Sequence, residues 1–271
     1  SVKLKRVALI AAALILAVAA LAPAQTGRLR LSTTTSTDNS GLLGFIIPPF
    51  EKKTGLKVDV IAVGTGKAIA LGEAGDVDVV LVHARSSEDK FVASGFGINR
   101  RDVMHNDFII LGPAADPAGV KGLKDAAEAL RRIAAKQASF VSRGDESGTH
   151  VKEKELWAKV GIKPEGRWYK EAGQGMGEVI TMSDNMGGYT LADRGTWLSM
   201  KSKARLQILV EGDPLLFNPY GVIAVNPAKH PHVNYDGAMA FIAWLTSREG
   251  QRMIASFKVD GDVLFFPDAV P

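Results

Sequence analysis

The chain has 271 residues, 46% of them hydrophobic, so it is long enough to bury one large core or two modest ones. It contains no cysteine, which excludes disulfide bonds, thiolate metal sites and a cysteine nucleophile. The 33 basic and 29 acidic residues nearly balance. This excludes an electrostatic basis for nucleic-acid binding, which needs clustered Lys and Arg to displace counterions.

The first 24 residues have the pattern of a secretory signal peptide. A basic head over residues 3–6 precedes an apolar run over residues 7–21, and the triplet Ala22-Pro23-Ala24 follows as a cleavage site. A single membrane anchor is the alternative, but an anchor needs about 20 apolar residues and this run is shorter. We therefore expect export, cleavage after Ala24, and a mature chain with 30 basic and 29 acidic residues.

The first half of the remaining chain alternates short β-like runs with helical patterns. A strand over residues 29–33 leads into a polar loop over residues 34–40 and then into a helix with apolar residues at helical spacing. Gly55 ends this helix. Further strands are predicted at residues 58–63, 77–82 and 108–111, and a helix near residues 67–73. This order predicts βαβ units and a mainly parallel sheet.

The second half repeats the alternation, which suggests two α/β lobes. Its predicted helices span residues 125–136, 147–160, 176–185 and 235–257, the last with a break near Thr246 and Ser247. Its predicted strands span residues 138–142, 167–171, 206–210 and 217–225. No flexible linker separates the two halves, and the candidate crossings between lobes are Gly112-Pro113 and residues 213–219.

Three segments join the end of a predicted strand to the start of a helix, and each is rich in Ser, Thr and Gly: residues 33–37, 63–66 and 142–149. A helix N-terminus offers unpaired N–H groups and the positive end of the helix dipole, and hydroxyls add donors. Such a segment suits an anion. Ser and Thr before a helix are also ordinary N-caps, so each segment alone has a structural interpretation. The three together favour an anion site.

Arg143 distinguishes the third segment, in which Arg, Gly, Ser and Thr occur within seven residues. Its planar guanidinium can meet two oxygens of a tetrahedral dianion, and three converging helix starts would surround the other oxygens with donors. A buried charge without such partners would be costly. The segments therefore predict a site for a tetrahedral oxyanion.

Competing motifs fail on inspection. The run Gly64-Thr65-Gly66-Lys67 is similar to part of a Walker A loop, but Ile61 stands where that motif needs Gly, and the following Ala is not Ser or Thr. The glycines near position 175 do not form a dinucleotide fingerprint after a clear strand. The close histidines at 230 and 232 flank a proline, which indicates a loop pair and not a metal site.

Catalysis is not expected, because no nucleophile, base and orienting group form a coherent set. Ser147 does not lie in the G-x-S-x-G elbow of hydrolases. The remaining alternative from the enzyme class is a secreted hydrolase that uses Ser147 and His150. These two residues lie three positions apart on one predicted helix, without a third partner.

Several short stretches occur in the order seen in a known family. They are TTTST at 33–37 with SGLL at 40–43, VGTGKA at 63–68, LVHA at 81–84, NRRDVM at 99–104, NDF at 106–108, SRGDESGTH at 142–150 and SDNM at 183–186. The spacing of Arg143, Ser147 and Thr149 resembles the oxyanion loop of periplasmic binding proteins for phosphate, molybdate and tungstate. From end to end, the predicted mature chain resembles the tungstate-binding component of the Tup-type ABC importer.

This resemblance implies an α/β, class II periplasmic binding protein fold, with two lobes, a two-strand hinge and a ligand cleft that closes by hinge motion. It implies that residues 25–112 and 217–271 form lobe I and residues 113–216 form lobe II, after the signal peptide at 1–24. The implied ligand contacts are Thr34, Thr35, Thr65, Gly66, Arg143, Ser147, Gly148 and Thr149. Which hydroxyls of the first segment point inward stays open.

The expected ligand is tungstate, with molybdate as a second candidate. At neutral pH both are fully deprotonated dianions that only accept hydrogen bonds, whereas monohydrogen phosphate needs an acceptor for its proton. A cleft of donors alone therefore disfavours phosphate, provided that Asp145 and Glu146 point away. The preference for tungstate rests on the resemblance, and binding of molybdate, phosphate or sulfate instead is the alternative. We expect a periplasmic monomer without a cofactor that delivers the anion to a membrane permease.

Overall fold

A computed structural model describes residues 27–269, so the predicted signal peptide lies outside the described residues. The strands are β1 Arg28–Thr34, β2 Lys57–Val63, β3 Val79–Val82, β4 Gly97–Gly112, β5 Phe140–Ser142, β6 Tyr169–Glu171, β7 Thr190–Asp193, β8 Gln207–Val210, β9 Phe217–Val225, β10 Lys258–Val259, β11 Asp262–Val263 and β12 Phe266–Pro267. The α-helices are α1 Thr35–Asn39, α2 Leu42–Thr54, α3 Thr65–Glu73, α4 Arg85–Ala93, α5 Ala126–Lys136, α6 Gly148–Lys159, α7 Met176–Met186, α8 Arg194–Met200, α9 Tyr235–Thr246 and α10 Arg248–Ser256. None of the helices in this part of the chain is both long and apolar enough to span a membrane.

Local sequence signals explain where several helices begin and end. Helix α2 buries Leu42, Ile46 and Phe50 on one face, as their helical spacing predicts. It ends at Gly55, whose φ of 77° is left-handed and favours glycine. Helix α5 begins after Asp125, whose carboxylate accepts a hydrogen bond from the backbone N–H of Glu128.

The main sheet is mixed, so the prediction of a mainly parallel sheet is wrong. Strands β1, β2 and β3 pair in parallel, but β9 runs antiparallel to both β3 and β4. Strand β4 also pairs antiparallel with β7, β8 and β12. The reason is topological: β4 and β9 carry the chain between the two halves of the molecule in opposite directions, and two adjacent strands that do so must be antiparallel.

Two pairs of hydrophobic cores flank this sheet, one pair on each side of the crossing. At one end, Val79 and Leu81 of β3 enter one core and Val80 and Val82 enter another. At the other end of the molecule, β4 does the same with residues 108–111, which alternate between two further cores. Since side chains alternate across a strand, each end is a sheet covered on both faces, and the α/β two-lobed architecture predicted from the sequence is confirmed.

The structure corrects several element predictions. The polar loop predicted over residues 34–40 contains the short helix α1. The break predicted near Thr246 and Ser247 is confirmed, because Ser247 separates α9 from α10. Helices α4 and α8, strand β7 and the short strands β10–β12 were not predicted. Helix α4 buries only Glu88 and Phe91, so its sequence lacks the apolar periodicity from which helices are recognised.

Candidate functional site

A cleft of about 1700 Å³ lies between the two halves of the molecule, beside the crossing strands β4 and β9. The structure brings all three predicted anion-binding segments to this cleft, although their sequence positions span more than a hundred residues. The residues that line it include Thr34, Thr35, Thr65, Gly66, Arg143, Ser147, Gly148 and Thr149. Sequence reasoning therefore selected residues that converge in space, and their contact with a ligand stays a prediction.

The first segment lies at the carboxyl end of β1 and forms the start of α1. Thr34 caps α1, because its hydroxyl accepts a hydrogen bond from the backbone N–H of Thr37 at 3.2 Å. The Thr34 side chain is buried, with 4% exposure, whereas Thr35 and Ser36 are exposed. Thr35 and Ser36, which also line the cleft, are therefore more open to solvent than Thr34 is.

The second segment supplies backbone donors. Helix α3 begins at Thr65 after Gly64, and no side chain caps it. A glycine at this position leaves the first-turn N–H groups of the helix without a side-chain acceptor. These N–H groups, together with the Thr65 hydroxyl, are positioned to meet an anion at the positive end of a nine-residue helix.

The third segment is held in an unusual backbone conformation. Gly144 and Glu146 have φ of 58° and 60°, in the left-handed region, where a non-glycine residue is strained. Two contacts hold Glu146: Lys154 pairs with its carboxylate at 2.6 Å, and the Nδ1 atom of His150 accepts its backbone N–H at 3.0 Å. The segment ends at Ser147, whose hydroxyl caps α6 by accepting the N–H of His150.

Asp145 and Glu146, the two carboxylates of this segment, are both engaged by neighbours and do not line the cleft. Burial favours the neutral form of Asp145, but hydrogen bonds from Ser147 and Arg143 outweigh burial and hold the pKa of Asp145 below its usual value. The bond from Lys154 lowers the pKa of Glu146. These two carboxylates therefore lie outside the lining of the cleft, as the argument against phosphate requires of them.

The carboxylates that do line the cleft are also partnered. Asp107 receives two hydrogen bonds from Arg194, each of 2.8 Å, and Asp193 caps α8 by accepting the N–H of Thr196. Asp268 lies 2.9 Å from the Nδ1 atom of His105, and the exposed carboxylate of Glu155 lies 3.4 Å from the ammonium of Lys152 on the same helix. Repulsion between these groups and a dianion is therefore reduced by compensating charge or donors.

Sequence reasoning missed a polar cluster on the floor of the cleft, where His83 at the end of β3 meets the crossing strands. Its Nδ1 atom lies 3.2 Å from Asn218 Oδ1, and its Nε2 atom lies 3.1 Å from Thr34 Oγ1. Burial lowers the pKa of His83 and favours the neutral imidazole. The only available signal was its place at the end of a strand within the LVHA stretch, since its partners are distant in sequence.

No cluster of three or more His, Asp or Glu residues suitable for a metal ion occurs within residues 27–269. The histidines at 230 and 232 instead contact carbonyl oxygens at the C-terminal end of α3. They therefore lie at the opposite end of this helix from Thr65. Both histidines lie in the loop between β9 and α9, as their spacing around a proline predicts.

The fold and the cleft agree with a comparison against known families, in which the PBP superfamily domain matches residues 19–249. The chain belongs to the PBP superfamily. This PBP-superfamily protein is 50% identical to the tungstate-binding protein TupA of Peptoclostridium acidaminophilum over 247 residues, which cover 90% of this chain and 86% of the relative.

Solved structures of PBP-superfamily relatives superpose along most of the chain. The tungstate binding protein TupA from Desulfovibrio alaskensis G20 matches with a TM-score of 0.86 and 50% identity, over 90% of this chain and 100% of that one. The tungstate ABC transporter structure from Geobacter sulfurreducens matches with a TM-score of 0.72 and 61% identity, over 85% of this chain and 98% of that one. These matches confirm the resemblance to the tungstate-binding component of the Tup-type importer that the short stretches indicated. They also confirm the predicted α/β periplasmic binding protein fold.

Proposed function

We propose that this protein captures tungstate in the cleft between its two lobes and delivers it to the membrane permease of an ABC importer. One observation carries the proposal: three segments rich in hydrogen-bond donors converge on a cleft in which Arg143 stands among them and the carboxylates have partners. The relatives named tungstate-binding proteins support the choice of ligand.

The proposed contacts come from both sides of the cleft. The first two segments would contribute the hydroxyls of Thr34 or Thr35 and of Thr65, with the backbone N–H of Gly66. The third segment would contribute the charge of Arg143 and the donors at the start of α6, which are Ser147, Gly148 and Thr149. Asp145 occupies the Nε and Nη2 atoms of the guanidinium, while Nη1 has no hydrogen-bond partner among residues 27–269. This leaves a charged donor for the anion.

The division of lobes that we propose is residues 25–112 with 217–271 for lobe I and residues 113–216 for lobe II. Core membership supports this division apart from the end of β4. Leu29, Met104 and Phe265 share one core, whereas Phe140 and Leu216 share another, and residues 108–111 pack into the cores of lobe II. We expect the protein to be exported to the periplasm, because capture of the anion on that side of the membrane would supply an importer. We also expect it to be a monomer.

A binding role also fits better than hydrolysis by Ser147 and His150. The Ser147 hydroxyl accepts the backbone N–H of His150 at 3.2 Å, as an ordinary helix cap. The His150 Nδ1 atom accepts the backbone N–H of Glu146 at 3.0 Å. Since this nitrogen is already engaged, it does not serve as a base for the neighbouring hydroxyl.

Calorimetric titration of the anion-free protein with tungstate, molybdate, sulfate and phosphate tests the proposal. We expect one-to-one binding of tungstate, with or without molybdate, and no comparable binding of phosphate. Preferential binding of phosphate or sulfate would keep the cleft as an oxyanion site but contradict the argument from donors. Absence of binding to all four anions would contradict the proposed function.

A further inference from the structure

We infer that His83 is a positioning residue that holds the Thr34 hydroxyl and joins the first anion-binding segment to the hinge strands. This inference rests on the proposed function, because one of its measurable consequences is a change in affinity for the anion. The inference begins from a chain of hydrogen bonds that crosses four elements of the cleft floor, from β9 and β4 through β3 to the end of β1.

The neighbours of His83 determine its tautomer. A neutral imidazole carries one N–H, so one ring nitrogen donates and the other accepts. The Asn218 amide nitrogen donates to Asn106 Oδ1 at 2.8 Å, and the Asn106 amide nitrogen lies 3.4 Å from the Tyr220 hydroxyl. Asn218 therefore presents its carbonyl oxygen to His83, which places the imidazole hydrogen on Nδ1 and leaves Nε2 as an acceptor.

This tautomer determines that the Thr34 hydroxyl donates its hydrogen to His83. The His83 Nε2 atom needs a donor, and the Thr34 hydroxyl lies 3.1 Å away. The Thr34 oxygen accepts a hydrogen bond from the backbone N–H of Thr37 at 3.2 Å and lies 2.6 Å from the Thr37 hydroxyl. These two contacts occupy both lone pairs of the Thr34 oxygen. The Ser36 hydroxyl lies 3.2 Å away and is a fourth polar neighbour of the Thr34 oxygen. A buried hydroxyl with this set of partners has no hydrogen left for an anion.

The consequence concerns which residues of the first segment bind the ligand. Thr34 acts through its neighbours, and the donors toward the cleft are the exposed hydroxyls of Thr35 and Ser36. This selects Thr35 from the pair of contacts that the sequence left open.

The same chain of bonds reaches the hinge. Asn106 and Asn218 are direct cross-strand partners on β4 and β9, the strands that cross between the lobes. The imidazole also packs on the Tyr220 ring, with centroids 4.7 Å apart. His83 therefore ties the first segment to the two strands about which the lobes would move, and its loss should weaken binding without removing any atom that touches the anion.

The tautomer can be measured directly by nitrogen-15 NMR of the histidine side chains in the full chain, with the His83 signals assigned from their absence in a His83→Gln variant. We expect a protonated Nδ1 and an unprotonated Nε2. A proton on Nε2 alone would overturn the inference, because the Thr34 hydroxyl could then donate to the anion. This measurement needs no ligand, so it is informative even if the proposed function fails.

Two variants of different length separate positioning from simple packing. Gln can reach the place of Nε2 and keep the contact with Thr34, whereas Asn can reach only the place of Nδ1 and keep the contact with Asn218. We expect His83→Asn to weaken tungstate binding about tenfold, the scale of one buried hydrogen bond, and His83→Gln to weaken it less than about threefold. Equal affinities in the two variants would overturn the positioning role, whatever their melting temperatures.

A double-mutant cycle with Thr34→Val tests whether the two residues act together. In the Thr34→Val background, His83→Asn should change affinity less than about twofold, and Thr34→Ser serves as the matched control that keeps the hydroxyl. Fully additive effects would overturn the coupling. Failure of the wild-type protein to bind tungstate would instead count against the proposed function, while the NMR result would still decide the hydrogen-bond assignment.

Discussion

The Arg143 guanidinium donates two hydrogen bonds to one oxygen of Asp145, with 3.2 Å from Nε to Oδ2 and 2.6 Å from Nη2 to Oδ2. Both side chains are mostly buried, with 17% and 24% exposure. Since one side of the planar fork is held in place, the guanidinium is oriented before a ligand arrives. Such preorganisation reduces the entropy that binding would otherwise cost.

Replacement of Arg143 should therefore have a large effect on anion binding. We expect Arg143→Ala to weaken tungstate affinity by at least about 2 kcal/mol, roughly 30-fold, because a charge-assisted partner is lost. Arg143→Lys should also weaken binding, since a point charge does not reproduce the fork. Titration calorimetry measures the affinity of both variants. The control is Arg205→Ala, because the Arg205 side chain is 82% exposed and lies outside the cleft. Unchanged affinity in Arg143→Ala would exclude the proposed site.

The buried ion pair of Asp107 and Arg194 should matter for both stability and binding. Asp107 is 4% exposed and lines the cleft, so Arg194→Met would leave an uncompensated carboxylate there. We expect this change to lower the free energy of unfolding by about 3 kcal/mol and to weaken tungstate binding through repulsion. The double variant with Asp107→Asn should recover affinity, as measured by denaturant unfolding and calorimetry. If the double variant binds no better than Arg194→Met alone, repulsion is not the cause.

Both the backbone conformation and the lack of room for a Cβ atom require glycine at position 144. A Cβ atom there would lie 2.8 Å from the Cβ of Glu171 on β6, in addition to the strain of φ at 58°. We expect Gly144→Ala to lower the free energy of unfolding by about 2 kcal/mol or more and to displace Arg143, with weaker anion binding. Gly44, within α2, has open space around it, so Gly44→Ala should be neutral or stabilising by up to about 1 kcal/mol. Similar urea midpoints for the two variants would contradict this account.

Glu153 lies on α6 behind the third segment and should make stability depend on pH. It is 2% exposed, and burial raises its pKa although Ser142, Tyr169 and Trp157 donate hydrogen bonds to it. The Tyr169 hydroxyl lies 2.5 Å away and the Trp157 Nε1 atom 3.0 Å away. The native state therefore retains this proton at pH values where the unfolded chain has released it.

The sign of the effect follows from this difference in bound protons. Above the unfolded value of about 4.3, the native state binds more protons than the unfolded state, so rising pH lowers the stability contributed by this group until its folded pKa is passed. We expect the wild-type protein to lose stability relative to Glu153→Gln as pH rises above about 4.3. Urea unfolding of both proteins from pH 4 to pH 7 measures the difference, and a difference independent of pH would show that the carboxyl is not perturbed.

The sequence was sufficient to predict the chemistry of the three segments, because that chemistry depends on neighbours within a few residues. Gly64 ahead of α3 and Ser147 ahead of α6 are local signals of helix starts, and helix starts determine where N–H donors point. Arg143 was recognised from the same kind of local signal, because Gly, Ser and Thr occur with it within seven residues. The apolar spacing of Leu42, Ile46 and Phe50 likewise determined α2 without any tertiary information.

Only the tertiary structure decided how the strands cross and what lies on the floor of the cleft. The polar stretch Arg100-Arg101-Asp102 gives no strand alternation, yet it belongs to the 16-residue strand β4 because β9 pairs with it. His83 and Asn218 are 135 positions apart, and no periodicity links them. Hydrogen bonds between such distant residues exist only after the sheet has assembled, so the orientation of the Thr34 hydroxyl is a property of the folded cleft and not of its segment.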